Sequence, residues 1–196
     1  MDNIMTLDVV MIFGVQNHLV TEIISPFMIA LSTVGNYGLI WILLGIALAC
    51  KKDYRKTGIA ILLGLTFSLI VGNGLLKHLV ERTRPCIDYP LVPLLLHAPA
   101  ANDFSFPSGH AFSSFVAATA LFRGIEKKWG RTALGLAAAI AFSRVYLFMH
   151  YPSDVFTGAL LGIAFGSLAW RLSGPVLVFL EKAKPEQRIM NERECG

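Results

Sequence analysis

Charge is scarce in this sequence: Asp, Glu, Lys and Arg make up 15% of 196 residues, against 55% hydrophobic ones, and the mean hydropathy is +0.60. A soluble chain of this length needs helices with a polar face. Here the apolar runs continue around whole helical turns, which excludes an ordinary soluble domain. Cysteine is nearly absent, and Cys50, Cys86 and Cys195 form no close pair. With Cys50 and Cys195 expected in the cytoplasm and Cys86 outside, Cys86 has no partner within the chain, so no disulfide framework is expected. The first residues lack the basic start and the small-residue cleavage site of a signal peptide.

What is present is a series of apolar stretches, at 20–34, 37–50, 59–76, 110–122, 132–148 and 155–172. Several are short against the ~20 residues that a bilayer requires. The expected fold is all-α: a polytopic membrane helical bundle of about six transmembrane helices, forming one domain over residues 1–196. Residues 1–18 are expected to form an interfacial helix and 175–196 a cytoplasmic tail. The first two spans are the least defined. Gly35-Asn36-Tyr37-Gly38 is either a tight hairpin between them or a break in one longer helix, and in the second case residues 4–15 supply the missing span.

Orientation follows from the lysines and arginines. Lys51, Lys52, Arg55 and Lys56 follow the second stretch, Arg123, Lys127, Lys128 and Arg131 the fourth, and Arg171, Lys182, Lys184, Arg188 and Arg193 the sixth. Thirteen of the 17 basic residues therefore fall on one side, predicted to be cytoplasmic together with both chain termini. The net charge of +4 is then explained by positive-inside anchoring, and no nucleic-acid partner is expected.

Three segments carry most of the remaining charge: Lys77 with Arg84-Pro85, Pro107-Ser108-Gly109-His110, and Ser143-Arg144 with His150 and Asp154. Such groups are costly beside lipid, so their placement at the ends of apolar stretches points to one anion-processing site at a membrane surface. Lys77 and Arg84 are seven positions apart. A third helix persisting to Thr83 would turn both to one side as an anion clamp, and Pro85 would end the run. Ser108 reads as the cap of an apolar helix whose free N–H groups suit a phosphate, and Gly109 lets an anion approach the backbone. His110 stands at the mouth of that helix. Asp154 is expected to accept the proton of one His150 imidazole nitrogen and leave the other free to attack. Arg144 supplies a third cation for phosphoryl oxygens.

Lys77-x6-Arg84-Pro85, then Pro107-Ser108-Gly109-His110, then Ser143-Arg144-x5-His150-x3-Asp154 is similar to the three-part signature of the type 2 phosphatidic acid phosphatase family. All three parts are present and in order, from Lys77 to Asp154. The resemblance implies a metal-independent, membrane-embedded phosphatase of lipid phosphates or diphosphates that needs no cofactor. It implies His150 as the nucleophile that becomes phosphorylated, Asp154 as its orienting group and His110 as the acid for the leaving oxygen. Lys77, Arg84, Ser108, Gly109 and Arg144 would bind the phosphate.

Competing readings exist for each group. Lys77 and Arg84 taken alone are ordinary snorkelling anchors, and Arg82, off any motif position, is expected to be one. Ser143 is expected to bond backbone, and Asp88 and Asp103 to be solvated. His97, His110, His150, Asp103 and Asp154 match no standard zinc spacing, and three cations would repel a divalent ion, so no metal is expected. An organic-anion transporter would also gather cations. This sequence has no hydropathy symmetry between its halves and no charge in mid-span to line a path.

The expected partners are a lipid phosphate substrate and membrane lipids, with the oligomeric state open. Outward-facing bacterial relatives in the family commonly recycle undecaprenyl diphosphate, which is the preferred substrate, with phosphatidic acid and phosphatidylglycerol phosphate as alternatives. The loop 86–106 is either an entrance or lid for a lipid tail or a plain connection. A neutral His150 and a protonated His110 would give a bell-shaped pH profile.

Overall fold

The computed structural model describes residues 2–100 and 102–194, with side chains described for 4–100 and 102–182. Every regular element among them is helical. The helices are α1 (Asp2–His18), α2 (Ser25–Val34), α3 (Leu39–Cys50), α4 (Arg55–Phe67), α5 (Lys77–Val80), α6 (Pro85–Asp88), α7 (Gly109–Gly124), α8 (Lys127–Tyr146) and α9 (Pro152–Glu194). A π-helical segment, Ser68–Leu76, joins α4 to α5 without a break.

The bundle is built around α7, which packs against α9, α8 and α4. Its Ala111, Phe112, Val116, Ala117, Ala118 and Ala120 are fully buried. The close approach of α9 depends on Gly158, Gly162 and Gly166, spaced so that they lie on one face. A Cβ on these glycines would lie 2.7 Å from the Ser108 carbonyl oxygen, 2.7 Å from that of Phe112 and 2.8 Å from that of Val116, respectively. Backbones meet this closely where small residues replace side chains, as in membrane helix pairs. Trp41 on α3 is buried and ties into the same core through Nε1–H donating to Ser114 Oγ at 3.0 Å.

Two helical stretches among the described residues, Lys52–Asp88 and Pro152–Lys182, are long and apolar enough to cross a membrane. Ser25–Val34 with Asn36–Cys50 passes the same test as one pair bent by 42°. Gly35-Asn36-Tyr37-Gly38 is therefore a 42° bend and not a tight hairpin. The break is made by Tyr37 at φ 54° and Gly38 at φ 65°, left-handed conformations that interrupt a helix while the chain keeps its general direction.

The N-terminal segment does not become the missing span. Asp8 of α1 bonds Arg82 and Ser153, and Gln16 bonds the Tyr146 carbonyl. Buried Ile12 joins the cluster of Tyr146, Leu147, Phe148 and Met149. All these partners lie at the end of the bundle that holds the motif segments. Leu7, Val10 and Met11 are exposed on the other side of α1, and Ile4 and Met5 are exposed in its first turn. The opposite end is marked by the ion pair of Arg55 with Glu181 on α9. Among the described residues, α1 lies at the motif end of the bundle and α9 runs away from it. The expected tail 175–196 continues α9 as helix to Glu194; Cys195 lies outside the described residues.

Candidate active site

The first motif segment leaves the bundle abruptly. Helix α5 ends at Val80, Glu81 turns left-handed at φ 48°, and Arg84 is extended at φ −89°, ψ 151°, the region that Pro85 imposes on the residue before it. Lys77 and Arg84 therefore do not share a helix face as expected. They converge because the chain turns. Both reach Asp103: Lys77 Nζ lies 2.5 Å from Oδ1 and Arg84 Nη2 2.9 Å from Oδ2. Asp103 is not the solvated carboxylate expected. Partial burial alone would push its pKa up, but the Lys77 hydrogen bond and the Arg84 charge outweigh this and hold it below the usual carboxylate range.

All five N–H groups of the Arg84 guanidinium have acceptors. Nε donates to the Asp103 carbonyl at 2.6 Å, Nη2 to Asp103 Oδ2 and to the Phe104 carbonyl at 3.4 Å, and Nη1 to the Met149 carbonyl at 2.9 Å and to His150 Nε2 at 3.0 Å. A guanidinium only donates, so His150 Nε2 is the acceptor and its proton resides on Nδ1. That nitrogen donates to the Ser105 carbonyl at 2.8 Å. Burial first, and then the charges of Arg84, Arg144 and Lys77, hold the His150 pKa well below the ordinary histidine value. The neutral imidazole thus carries its lone pair on Nε2, at the wall of the cavity described below.

Asp154 does not take the imidazole proton directly, as was expected. Its Oδ2 is 3.8 Å from His150 Nδ1 and accepts instead from Ser105 Oγ at 2.5 Å and Tyr151 N at 2.9 Å. Ser105 bridges the pair, its carbonyl holding the histidine and its hydroxyl holding the carboxylate. Asp154 Oδ1 accepts from Arg82 Nη1 at 2.6 Å, and Arg82 Nη2 donates to the buried Asp8 at 2.7 Å. Arg82 is therefore a bridge between two carboxylates and not a snorkelling anchor.

The second segment behaves locally as its residues suggest. Ser108 is the cap of α7, its Oγ accepting from Ala111 N at 3.5 Å. It is fully buried and does not line the cavity, whereas Gly109 and His110 do. In the third segment α8 ends at Tyr146, Phe148 adopts φ 60°, and the N–H groups of Met149 and His150 fold back onto the Arg144 carbonyl. That reversal sets the spacing between Arg144 and His150. Arg144 Nη1 donates to Ser32 Oγ. Its buried Nε has no hydrogen-bond partner, a donor available to an anion. Ser143 bonds the Ile140 carbonyl, as expected. Asp88 accepts from Thr83 and Tyr151.

Lys77, Arg84, Gly109, His110, Arg144 and His150 line one cavity of about 1140 Å³, which continues between α3 and α4 along Ile42, Leu62, Leu65 and Leu69. Leu96, His97 and Phe104 of the 86–106 loop form part of its wall. Sequence reasoning missed Asp8, Ser32, Asn36, Arg82, Asp103 and Ser105. The one available signal was their rarity, as polar groups within apolar stretches or beside the motifs. An unprotonated imidazole nitrogen, three cations and a greasy extension suit the transfer of a phosphoryl group from an amphiphile.

Residues 57–176 match the PAP2 superfamily. The chain belongs to that family. It is a PAP2-type membrane lipid phosphatase. An undecaprenyl-diphosphatase of Sulfolobus acidocaldarius is 32% identical over 171 residues, 84% of this chain and 79% of that one. A decaprenylphosphoryl-5-phosphoribose phosphatase of Mycobacterium tuberculosis is 31% identical over 171 residues, 85% and 91% of the two chains. Among solved structures, Aquifex aeolicus LpxE superposes with TM-score 0.67 at 26% identity, over 84% of this chain and 95% of that one. A PAP2-type phosphatidylglycerolphosphate phosphatase from Bacillus subtilis shares the fold, with TM-score 0.71 at 21% identity over 90% and 89%. The PAP2 match begins after Asp8, Ser32 and Asn36.

Proposed function

We propose that this PAP2 phosphatase hydrolyses a lipid diphosphate or phosphate monoester at the extracytoplasmic face through a phosphohistidine at His150, with undecaprenyl diphosphate as the preferred substrate. The observation that carries the reading is the protonation pattern of His150: Nδ1–H is committed to the Ser105 carbonyl, and Nε2 presents its lone pair beside Arg84. The orientation rests on the basic residues gathered at the opposite end of the bundle. The diphosphate preference rests on the undecaprenyl-diphosphatase relative.

In the first step Nε2 attacks phosphorus and forms the N–P bond as the bond to the leaving oxygen breaks. His110 passes a proton to that oxygen, which departs on the lipid. In the second step water attacks phosphorus, the N–P bond breaks, and the water proton returns to His110. Inorganic phosphate leaves. Lys77, Arg84 and Arg144 neutralise the phosphoryl oxygens throughout, and no metal is required.

The test is phosphate release by the detergent-purified chain in excess EDTA, with undecaprenyl diphosphate, phosphatidic acid and phosphatidylglycerol phosphate offered separately. Acid-labile, base-stable label on protein quenched in mid-turnover is the companion readout. Release that survives chelation, favours the diphosphate and disappears with the label in His150→Ala is expected. Release favouring a monoester moves the substrate to that lipid. Turnover that persists in His150→Ala refutes the phosphohistidine. No release from folded protein with any of the lipids would favour anion transport for this site.

A further inference from the structure

We propose that the broken turn between α2 and α3 is a positioning device for the proton-donating histidine, with Asn36 as its positioning residue. The inference rests on the reading of His110 as the acid for the leaving oxygen. His110 Nε2 lies 3.2 Å from the Ser32 carbonyl and 3.1 Å from Asn36 Oδ1. Both are acceptors, so Nε2 carries a proton committed to the turn. The ring nitrogen left for exchange with substrate is Nδ1, in a side chain that lines the cavity.

Three further features converge on the same imidazole. Ser32 belongs to the last turn of α2, where carbonyls lose their intrahelical partners and are free for a side-chain donor. Ser32 also holds Arg144 through its hydroxyl, so one residue spaces a phosphate-side cation from the acid. Gly35 leaves no room for a side chain, because a Cβ there would lie 2.8 Å from His110 Cδ2 and 2.7 Å from Ile140 Cγ2. Finally, Ser32 and Asn36 are four positions apart, with αR backbone at Gly35 between them (φ −77°, ψ −10°), so both acceptors lie on one side of the chain where α2 ends.

A proton donor matters in proportion to how poor the leaving group is. Two synthetic substrates with the same long alkyl tail separate that role from a structural one. One is a plain alkyl phosphate. The other carries the phosphate on a nitrophenol, which departs without a proton. Asn36→Leu is expected to lower kcat on the alkyl phosphate about tenfold and to leave the nitrophenyl ester within about twofold. Asn36→Asp, which keeps an acceptor, should restore the alkyl rate. Gly35→Ala, which pushes directly on the ring, should show the same split and serves if Asn36→Leu does not fold. Equal losses on both substrates, or no loss on either, would overturn the positioning role. His110→Ala must show the split more deeply. If it slows both substrates equally, the acid assignment itself fails and this inference falls with it. If His110→Ala shows the split and the turn variants do not, only the inference fails.

Discussion

Arg82 offers the sharpest test of the structure, because its sequence position suggests an ordinary anchor and its contacts give it a very different weight. Its guanidinium joins Asp154 Oδ1 at 2.6 Å, Ser153 Oγ at 2.8 Å and Asp8 Oδ2 at 2.7 Å, and stacks 4.2 Å from the Tyr151 ring centroid. The two carboxylates are 0% and 4% exposed at the side chain. Arg82→Met leaves both buried without a counter-charge, and breaking a buried pair in this way costs about 3–5 kcal/mol. At ~2–4 °C per kcal/mol for a chain of this size, the midpoint should fall by roughly 10 °C. Thermal unfolding in detergent, followed by tryptophan fluorescence and by residual phosphatase activity, measures it. Asp8→Asn combined with Arg82→Met should cost about 1–3 kcal/mol less than the sum of the single changes, since removing one charge relieves the other. A loss under about 1 kcal/mol, the value of a surface pair, or strict additivity, would refute the bridge.

Three other outcomes follow from the geometry. Burial and the surrounding cations keep His150 neutral in the folded chain, whereas the unfolded chain takes up a proton near pH ~6.5. The His150 contribution to stability is therefore lost as pH falls below that value. Nitrogen-labelled NMR should show Nε2 still unprotonated at pH ~6.5, where a free imidazole is half protonated, and half-protonation there would contradict the site. Arg84 can give a donor to phosphate by releasing Asp103 Oδ2, so Asp103→Asn should lower the inhibition constant of inorganic phosphate about tenfold, or 1.4 kcal/mol. A raised constant would mean that Asp103 supports the clamp instead of occupying it. Gly158→Ala places a Cβ 2.7 Å from the Ser108 carbonyl. It should cost about 1–3 kcal/mol and most of the activity by shifting the start of α7. Gly135→Ala meets nothing within 4 Å and should be neutral or slightly stabilising; equal effects would dismiss the packing argument.

The relation of α1 to the site shows how the N-terminal region acquired its importance. Asp8 accepts from Ser153 N at the first turn of α9, where a carboxylate also complements the helix dipole. The same turn carries Asp154. Helix α1 is therefore bonded to the turn that carries the candidate orienting carboxylate, and Ser32 and Asn36 make equivalent links to Arg144 and His110. None of these residues has a spacing that announces its role, since each meets its partner across more than seventy positions of chain.

Apolar runs and the placement of basic residues determined that this chain is a helical membrane protein, because lipid admits only backbone that satisfies its own hydrogen bonds. The order and spacing of Lys77, Arg84, His110, Arg144, His150 and Asp154 carried the resemblance that points to the class of chemistry, although a lysine or arginine alone at a helix end is an ordinary anchor. Local rules reached the Ser108 cap as well, whereas the helix that Pro85 was expected to end stops earlier, at Val80. Tertiary structure alone decided the rest. It replaced a shared helix face by a turn at Glu81, placed Ser105 between His150 and Asp154, made Arg82 a bridge, and set Ser32 and Asn36 against His110. These are pairings of buried polar groups. Which donor meets which acceptor depends on how distant helices pack, and sequence spacing carries no record of that.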